Sequence, residues 1–178
     1  MKGLLLLLLM GIFYQDTSPV LFNGANANTL SNWYAVDDGV MGGLSQGSFT
    51  LNDVGNIHYT GTVRLENNGG FSSIRHKFES KDVSNYTFVL LKIKGDGKNY
   101  QFRIKSDTSQ RFSYINSFET SGSWETIKLR LDSFYPSFRG YTLDKPNYPG
   151  RVMEEISILI GNKRKQSFSL EIEKIYLE

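Results

Sequence analysis

The sequence predicts an all-β chain folded as an antiparallel β-sandwich of jelly-roll type. Three observations carry that prediction. Apolar and polar residues alternate with a period of two through most of the chain after Val20, as strands with one buried face do. Clusters of Gly, Asn and Asp separate the alternating runs, and these are the residues tight turns favour. No window carries the three-and-four apolar spacing of an amphipathic helix. At 178 residues the chain is long enough for one sandwich around a single core.

The elements follow in order. "MKGLLLLLLMGIFY" has one lysine and then an apolar run too short to span a bilayer comfortably. That is the pattern of a secretory leader. Residues 1–18 are therefore expected to be a hydrophobic leader of signal-peptide type, and 19–178 a single domain. The leader is expected to carry the chain out of the cytoplasm or tether it to a membrane, and to be its only membrane contact. Further on, "IHYTGTVRLE" places Ile57, Tyr59, Val63 and Leu65 on one face. "NNGG" at 67–70 reads as a hairpin turn into "FSSIRHKFE". "YTFVLLKIK", "GDGKN" and "YQFRIK" read as a second hairpin, and "WETIKLRL", "EISILIG" and "FSLEIEKIYLE" complete the strands. Residues 133–151, "SFYPSFRGYTLDKPNYPGR", hold three of the four prolines and read as one long irregular segment.

Several functions are disfavoured by what the chain contains. Lys and Arg number 20 against 18 Asp and Glu, and the only tight basic run is "KRK" at 163–165; we read it as a solvated turn and expect no nucleic acid. Without cysteine there is no disulfide or thiolate chemistry. Gly43-Leu44-Ser45-Gln46-Gly47 matches G-x-S-x-G, which in hydrolases is a strand-turn-helix elbow. Here strand-like "SFTLND" follows, and only His58 or His76 is available as base. Ser45 therefore reads as a polar residue in a glycine-rich turn. Glu171 and Glu173 lie two apart, as paired glycosidase carboxylates can, but no third carboxylate follows and they read as the solvent face of the last strand. Two histidines exclude the common zinc spacings, and no EF-hand loop is present. Asp37 and Asp38 read as turn caps rather than calcium ligands. We expect no catalytic residue, no metal and no cofactor.

"VDDGVMGGLSQGSF", "GTVRLENNGGFSSIR", "GDGKNYQFRI", "WETIKLRL", "PSFRG" and "ILIGNKRKQSFSLEIEKI", in that order, resemble the complex I intermediate-associated protein 30 family over roughly residues 20–177. The resemblance implies a galactose-binding-domain-like β-sandwich related to carbohydrate-binding modules. It also implies a non-catalytic protein-interaction module of assembly-factor type, as the mitochondrial members serve respiratory NADH dehydrogenase. A secreted carbohydrate-binding module is the alternative, with Trp33 and Trp124 as sugar platforms.

Within the matching motifs, Gly39, Gly42 and Gly43 are expected to turn the backbone sharply and leave room for close approach. Met41 is expected to plug the loop from inside. Asn67 and Asn68 would satisfy loop amides, Gly69 and Gly70 complete the turn, and Phe71 anchors the next strand. Arg75 shares a strand face with Phe71 and Ser73, and is expected to pair with Asp37, Asp38 or Glu66 in a polar clasp. A partner surface is expected in the proline-rich segment. There Phe134, Tyr135, Phe138, Arg139, Tyr141 and Tyr148 are the residue types that interfaces favour. The same segment read differently is a lid whose aromatics close the core.

Overall fold

Two-faced strands bury their apolar sides only by stacking one sheet on another, and this chain does so. The computed structural model describes residues 19–27 and 30–178. One sheet holds β1 (Val20–Asn23), β3 (Gln46–Leu51), β4 (Ile57–Val63), β6 (Phe88–Lys94), β9 (Trp124–Arg130) and β13 (Gln166–Leu177). Its order is β3-β4-β13-β6-β9, with β1 also on β13. The other holds β2 (Trp33–Asp37), β5 (Ser72–Asp82), β7 (Asn99–Lys105), β8 (Ser113–Glu119), β10 (Tyr135–Phe138), β11 (Tyr141–Thr142) and β12 (Val152–Ile160). Its order is β11-β10-β8-β7-β12-β5-β2. Every pairing is antiparallel. Short 3-10 turns are the only helical elements among the described residues. This is the expected jelly-roll sandwich.

The core lies between the sheets. Ile57, Tyr59 and Val63 of β4 and Leu170 and Ile172 of β13 meet Ile74 of β5, Phe102 and Ile104 of β7, and Ile156, Ile158 and Ile160 of β12. Each such side chain contributes about 1.5–3 kcal/mol by leaving water. β13 keeps both Ile172 and Ile175 inside by a bulge at Glu173. Glu173 then takes Lys92 at 2.7 Å, and Glu171 accepts a hydrogen bond from Asn52, so the two carboxylates form no pair of their own.

Three strand expectations need correction. β4 and β5 lie in different sheets, so "NNGG" is a crossing between layers and not a hairpin. β6 and β7 are likewise split, and the "GDGKN" connection is held by Thr120, whose Oγ1 accepts from the Gly97 and Lys98 amides. Alternation specifies which side of a strand is buried but is silent on its neighbour. Residues 133–151 are also less irregular than expected. They contain β10 and β11, and Phe134 and Tyr148 are in the core, where Tyr148 donates to the Val152 carbonyl at 2.7 Å.

Candidate functional site

Asp38 is fully buried at the start of a 3-10 turn, Asp38–Met41. Its carboxylate accepts from the Ser45 amide at 2.9 Å, the Ser45 hydroxyl, the Gly70 amide at 2.6 Å and the Phe71 amide at 3.3 Å. Burial pushes its pKa up, but the bonds from the Ser45 hydroxyl and the Gly70, Ser45 and Phe71 amides outweigh that and hold it below the ordinary carboxylate range. Neighbouring Asp37 accepts from the Gly47 amide at 3.0 Å and the Ser72 hydroxyl at 2.5 Å. The glycines follow from this carboxylate. A Cβ on Gly43 or Gly69 would overlap the Asp38 side chain, and Gly42 sits at φ 87°, where glycine is at ease.

The clasp between the two motif loops therefore exists, but its centre is Asp38 and not Arg75. Arg75 turns instead to buried Glu155, with Nη1 3.7 Å from Oε1. Tyr34 donates to the same carboxylate at 2.8 Å, and burial followed by that bond raises the Tyr34 pKa to about 12. Glu66 is taken by Arg64 at 2.7 Å, which removes the third expected partner. Asn67 donates to the Gly42 carbonyl at 3.0 Å, so it satisfies a carbonyl where an amide was expected. Met41 is 51% exposed and is no inward plug: the buried carboxylate occupies the space beneath the turn. Ser45 spends its hydroxyl on Asp38 and accepts the Arg64 amide at 2.9 Å. The histidines are engaged elsewhere, His58 with Ser169 and His76 stacked on Trp33.

Beside the clasp, a cleft of about 600 Å³ opens on the outer face of the seven-stranded sheet. Two of its lining residues, Arg75 and Arg103, stand in the cross-strand row Tyr34–Arg75–Ser157–Arg103–Ile115–Tyr135, on β2, β5, β12, β7, β8 and β10; Tyr135 and the other members of the row are not part of the lining. Arg75 and Arg103 are thus the cross-strand neighbours of Ser157 on either side, on strands about 10 Å apart. Burial, then the charge of Arg75, lowers the Arg103 pKa to about 10, and its Nε and Nη2 fold back on the Gln101 side-chain oxygen at 3.1 and 2.6 Å. Burial also lowers the Lys105 pKa. One wall is the motif region, with Met41, Asn68, Gly69, Gly70 and Phe71; the other carries Phe138 and Arg139. Arg111 and Arg139 lie 5.4 and 5.3 Å from the Phe138 ring centre.

The cleft thus brings together much of what the sequence singled out, from loops 27 and more residues apart. Phe134 and Tyr148 are excluded as surface by their burial, and Tyr141, at 77% exposure, stands outside the cleft lining. Trp33 is buried, and Trp124, though 44% exposed, is on β9 of the opposite sheet; neither lines the cleft as a sugar platform. Sequence reasoning missed Gln101, Arg103, Lys105, Arg111 and Lys163. The signal was in "YQFRIK", whose polar phase between Tyr100, Phe102 and Ile104 consists of long donors instead of short solvating groups. Among the described residues no group of His, Cys, Asp and Glu is placed to hold a metal ion.

The described residues thus form a jelly-roll β-sandwich with a cleft on one sheet face. The chain belongs to the complex I intermediate-associated protein 30 family, whose model matches residues 20–172. It is 30% identical over 122 residues to the probable mitochondrial complex I intermediate-associated protein 30 of Caenorhabditis elegans, and equally to that of Caenorhabditis briggsae. Each match takes in 64% of this chain and 35% of the relative, so the chain spans about a third of the length of the curated relatives it matches. Among solved structures, the family 11 carbohydrate-binding module of a Clostridium thermocellum cellulosomal cellulase superposes with a TM-score of 0.64 at 17% identity, covering 90% of this chain and 93% of that one. The Clostridium thermocellum family 11 module bound to a β-1,3-1,4-mixed-linked tetrasaccharide gives 0.60 at 18%, covering 84% and 90%. The agarase AgWH50C gives 0.60 at 10%, over 90% of this chain and 24% of the enzyme. These likenesses are of fold.

Proposed function

We propose that this protein is a non-catalytic interaction module, assembly-factor-like, that holds a protein partner in the cleft on its seven-stranded sheet. The observation that carries the reading is the cleft itself. Aromatic and arginine side chains from β10 and the turn after it, Phe138 and Arg139, face the motif loops across a cavity of about 600 Å³, and such residues dominate binding energy at interfaces. Family membership supports the same reading, because the relatives are named for association with an intermediate of complex I; a role in assembling a respiratory NADH dehydrogenase comes to this chain on that ground. The carbohydrate reading keeps the support of its fold neighbours, while the tryptophans lie away from the cleft.

Paired substitutions, Phe138→Ala and Arg139→Glu, test the reading. Partner capture from a native lysate is expected to fall while the melting temperature holds. Retention of the domain on β-glucan or agarose affinity gels, lost in the same variants, would replace protein docking with sugar binding.

A further inference from the structure

We propose that the cleft takes an acidic, partly apolar peptide segment, its carboxylates seated on Arg75, Arg103, Lys105, Arg111, Arg139 and Lys163. The inference rests on the cleft being a protein-docking site and names the chemistry of the partner. The whole chain has a formal net charge of only +2, yet these six cations line one cavity. Among the described residues no carboxylate lines it; Glu155, on the same face of β12 as Leu159, is buried and engaged with Arg75 and Tyr34.

The fold holds two of these cations, Arg103 and Lys105, where burial makes positive charge costly. Arg75 keeps a buried Nε with no hydrogen-bond partner. Arg103 and Lys105 are both desolvated; Arg75 works against each, and for Lys105 the charge of Glu155 offsets part of the cost. An anion entering between Arg75 and Arg103 offers the unpartnered Arg75 Nε an acceptor and offsets the desolvation of Arg103. Guanidinium and ammonium groups donate hydrogen bonds and accept none. The ligand they suit is rich in acceptors, as carboxylates are; a neutral sugar, whose hydroxyls must also donate, finds Asn68, Gln101, Ser113 and Ser137 but no anionic acceptor.

The apolar half of the lining separates an acidic peptide from other polyanions. Met41 and Leu65 stand 51% and 43% exposed, and with Phe71, Phe138 and Leu159 they line the same cavity as the cations. Aliphatic and aromatic side chains on a peptide cover such a wall, whereas a phosphate or sulfate polymer has none. The rim is also conformationally unusual. Of the four non-glycine residues with positive φ among the described residues, Asn68 (59°), Arg139 (51°) and Lys163 (54°) line the cleft. Two of the six cations are thus presented from backbone that ordinary residues avoid.

The test uses the whole protein and a fluorescein-labelled peptide of Asp-Phe-Glu-Leu repeats, read by anisotropy. Binding is expected, weakening as salt is raised, and about tenfold or more weaker for the Asn-Phe-Gln-Leu peptide and for an Arg111→Glu/Arg139→Glu variant with an unchanged melting curve. Equal binding of the amide peptide or by the variant overturns the proposal. So does displacement of the peptide by polygalacturonate or oligo(dT) at lower concentration than by unlabelled peptide, which would reassign the anion. A benzophenone photocrosslinker at Ser113 in native lysate separates the two readings. A protein adduct competed away by the acidic peptide supports both. A protein adduct indifferent to that peptide overturns the acidic assignment and leaves protein docking standing. Failure to form any protein adduct sinks docking, and this proposal with it.

Discussion

Asp38 shows how a single side chain organises a motif. Its folded pKa is depressed, so as pH falls the unfolded chain takes up the proton first. The stability it supplies is full above about pH 5, where an ordinary carboxylate is ionised, and is lost as pH drops through the folded value below about 4. Asp38→Asn is expected to cost about 3 kcal/mol at neutral pH, since an amide nitrogen meets donors that the carboxylate satisfied. That is roughly 6–12 °C of melting temperature for a chain of this size. The variant should also lose part of the acid sensitivity seen as pH falls below about 5; thermal melts at stepped pH check both, and parallel curves for variant and parent would refute the assignment. Arg75 gives a second prediction. Arg75→Ala strands Glu155, 2% exposed, at a cost of roughly 3 kcal/mol, and adding Glu155→Gln should recover most of it. A single variant that melts like the parent would mean the pair is idle. The sequence made the importance of these loops legible through "DGVMGG" and "NNGG". It did not reveal the partners, because Arg75 and Glu155 are brought together by β5 pairing with β12, a contact between residues 80 positions apart.

The hairpin of β10 and β11 repays the same scrutiny at the scale of an element. Ser137 pairs with Thr142 and Phe138 with Tyr141, leaving Arg139 and Gly140 as a two-residue turn with φ of 51° and 83°. Such a turn needs positive φ at both central positions, and glycine or asparagine is its usual occupant. Arg139→Gly is therefore expected to stabilise the protein, by about 1 kcal/mol, while weakening whatever the cleft binds. Melting and binding moving in opposite directions is the signature; a lower melting temperature would show that arginine is at ease there. Strand existence was readable across the chain because alternation survives in "FVLLKIK", "YQFRIK" and "WETIKLRL". Pairing was not. "NNGG" and "GDGKN" have hairpin composition, yet each leads from one sheet to the other, since glycine permits the crossing as readily as the reversal.

At the scale of the molecule, composition concealed the cleft. Twenty basic and eighteen acidic residues nearly cancel, and only folding gathers six cations around one cleft. No motif announces such a patch, because its members come from β5, β7 and three connections. The leader, residues 1–18, lies outside the described residues; no helix among the described residues is long and apolar enough to cross a membrane. The leader is expected to move the protein out of the cytoplasm, and fractionation of the full-length chain against one beginning at Ser18 checks it. Equal cytoplasmic recovery of the two would remove that role.

The Asp38 carboxylate has one more consequence. It collects the amides of Ser45, Gly70 and Phe71, which belong to connections entering β3 in one sheet and β5 in the other. Hydrogen–deuterium exchange should report those three amides with a single opening free energy, as one cooperative unit, although 25 and more residues separate the first from the others. In Asp38→Asn, or in acid, all three should exchange quickly together while Ile156 and Phe102 in the core remain protected. One wall of the cleft would then be free to move on a sandwich that is still intact.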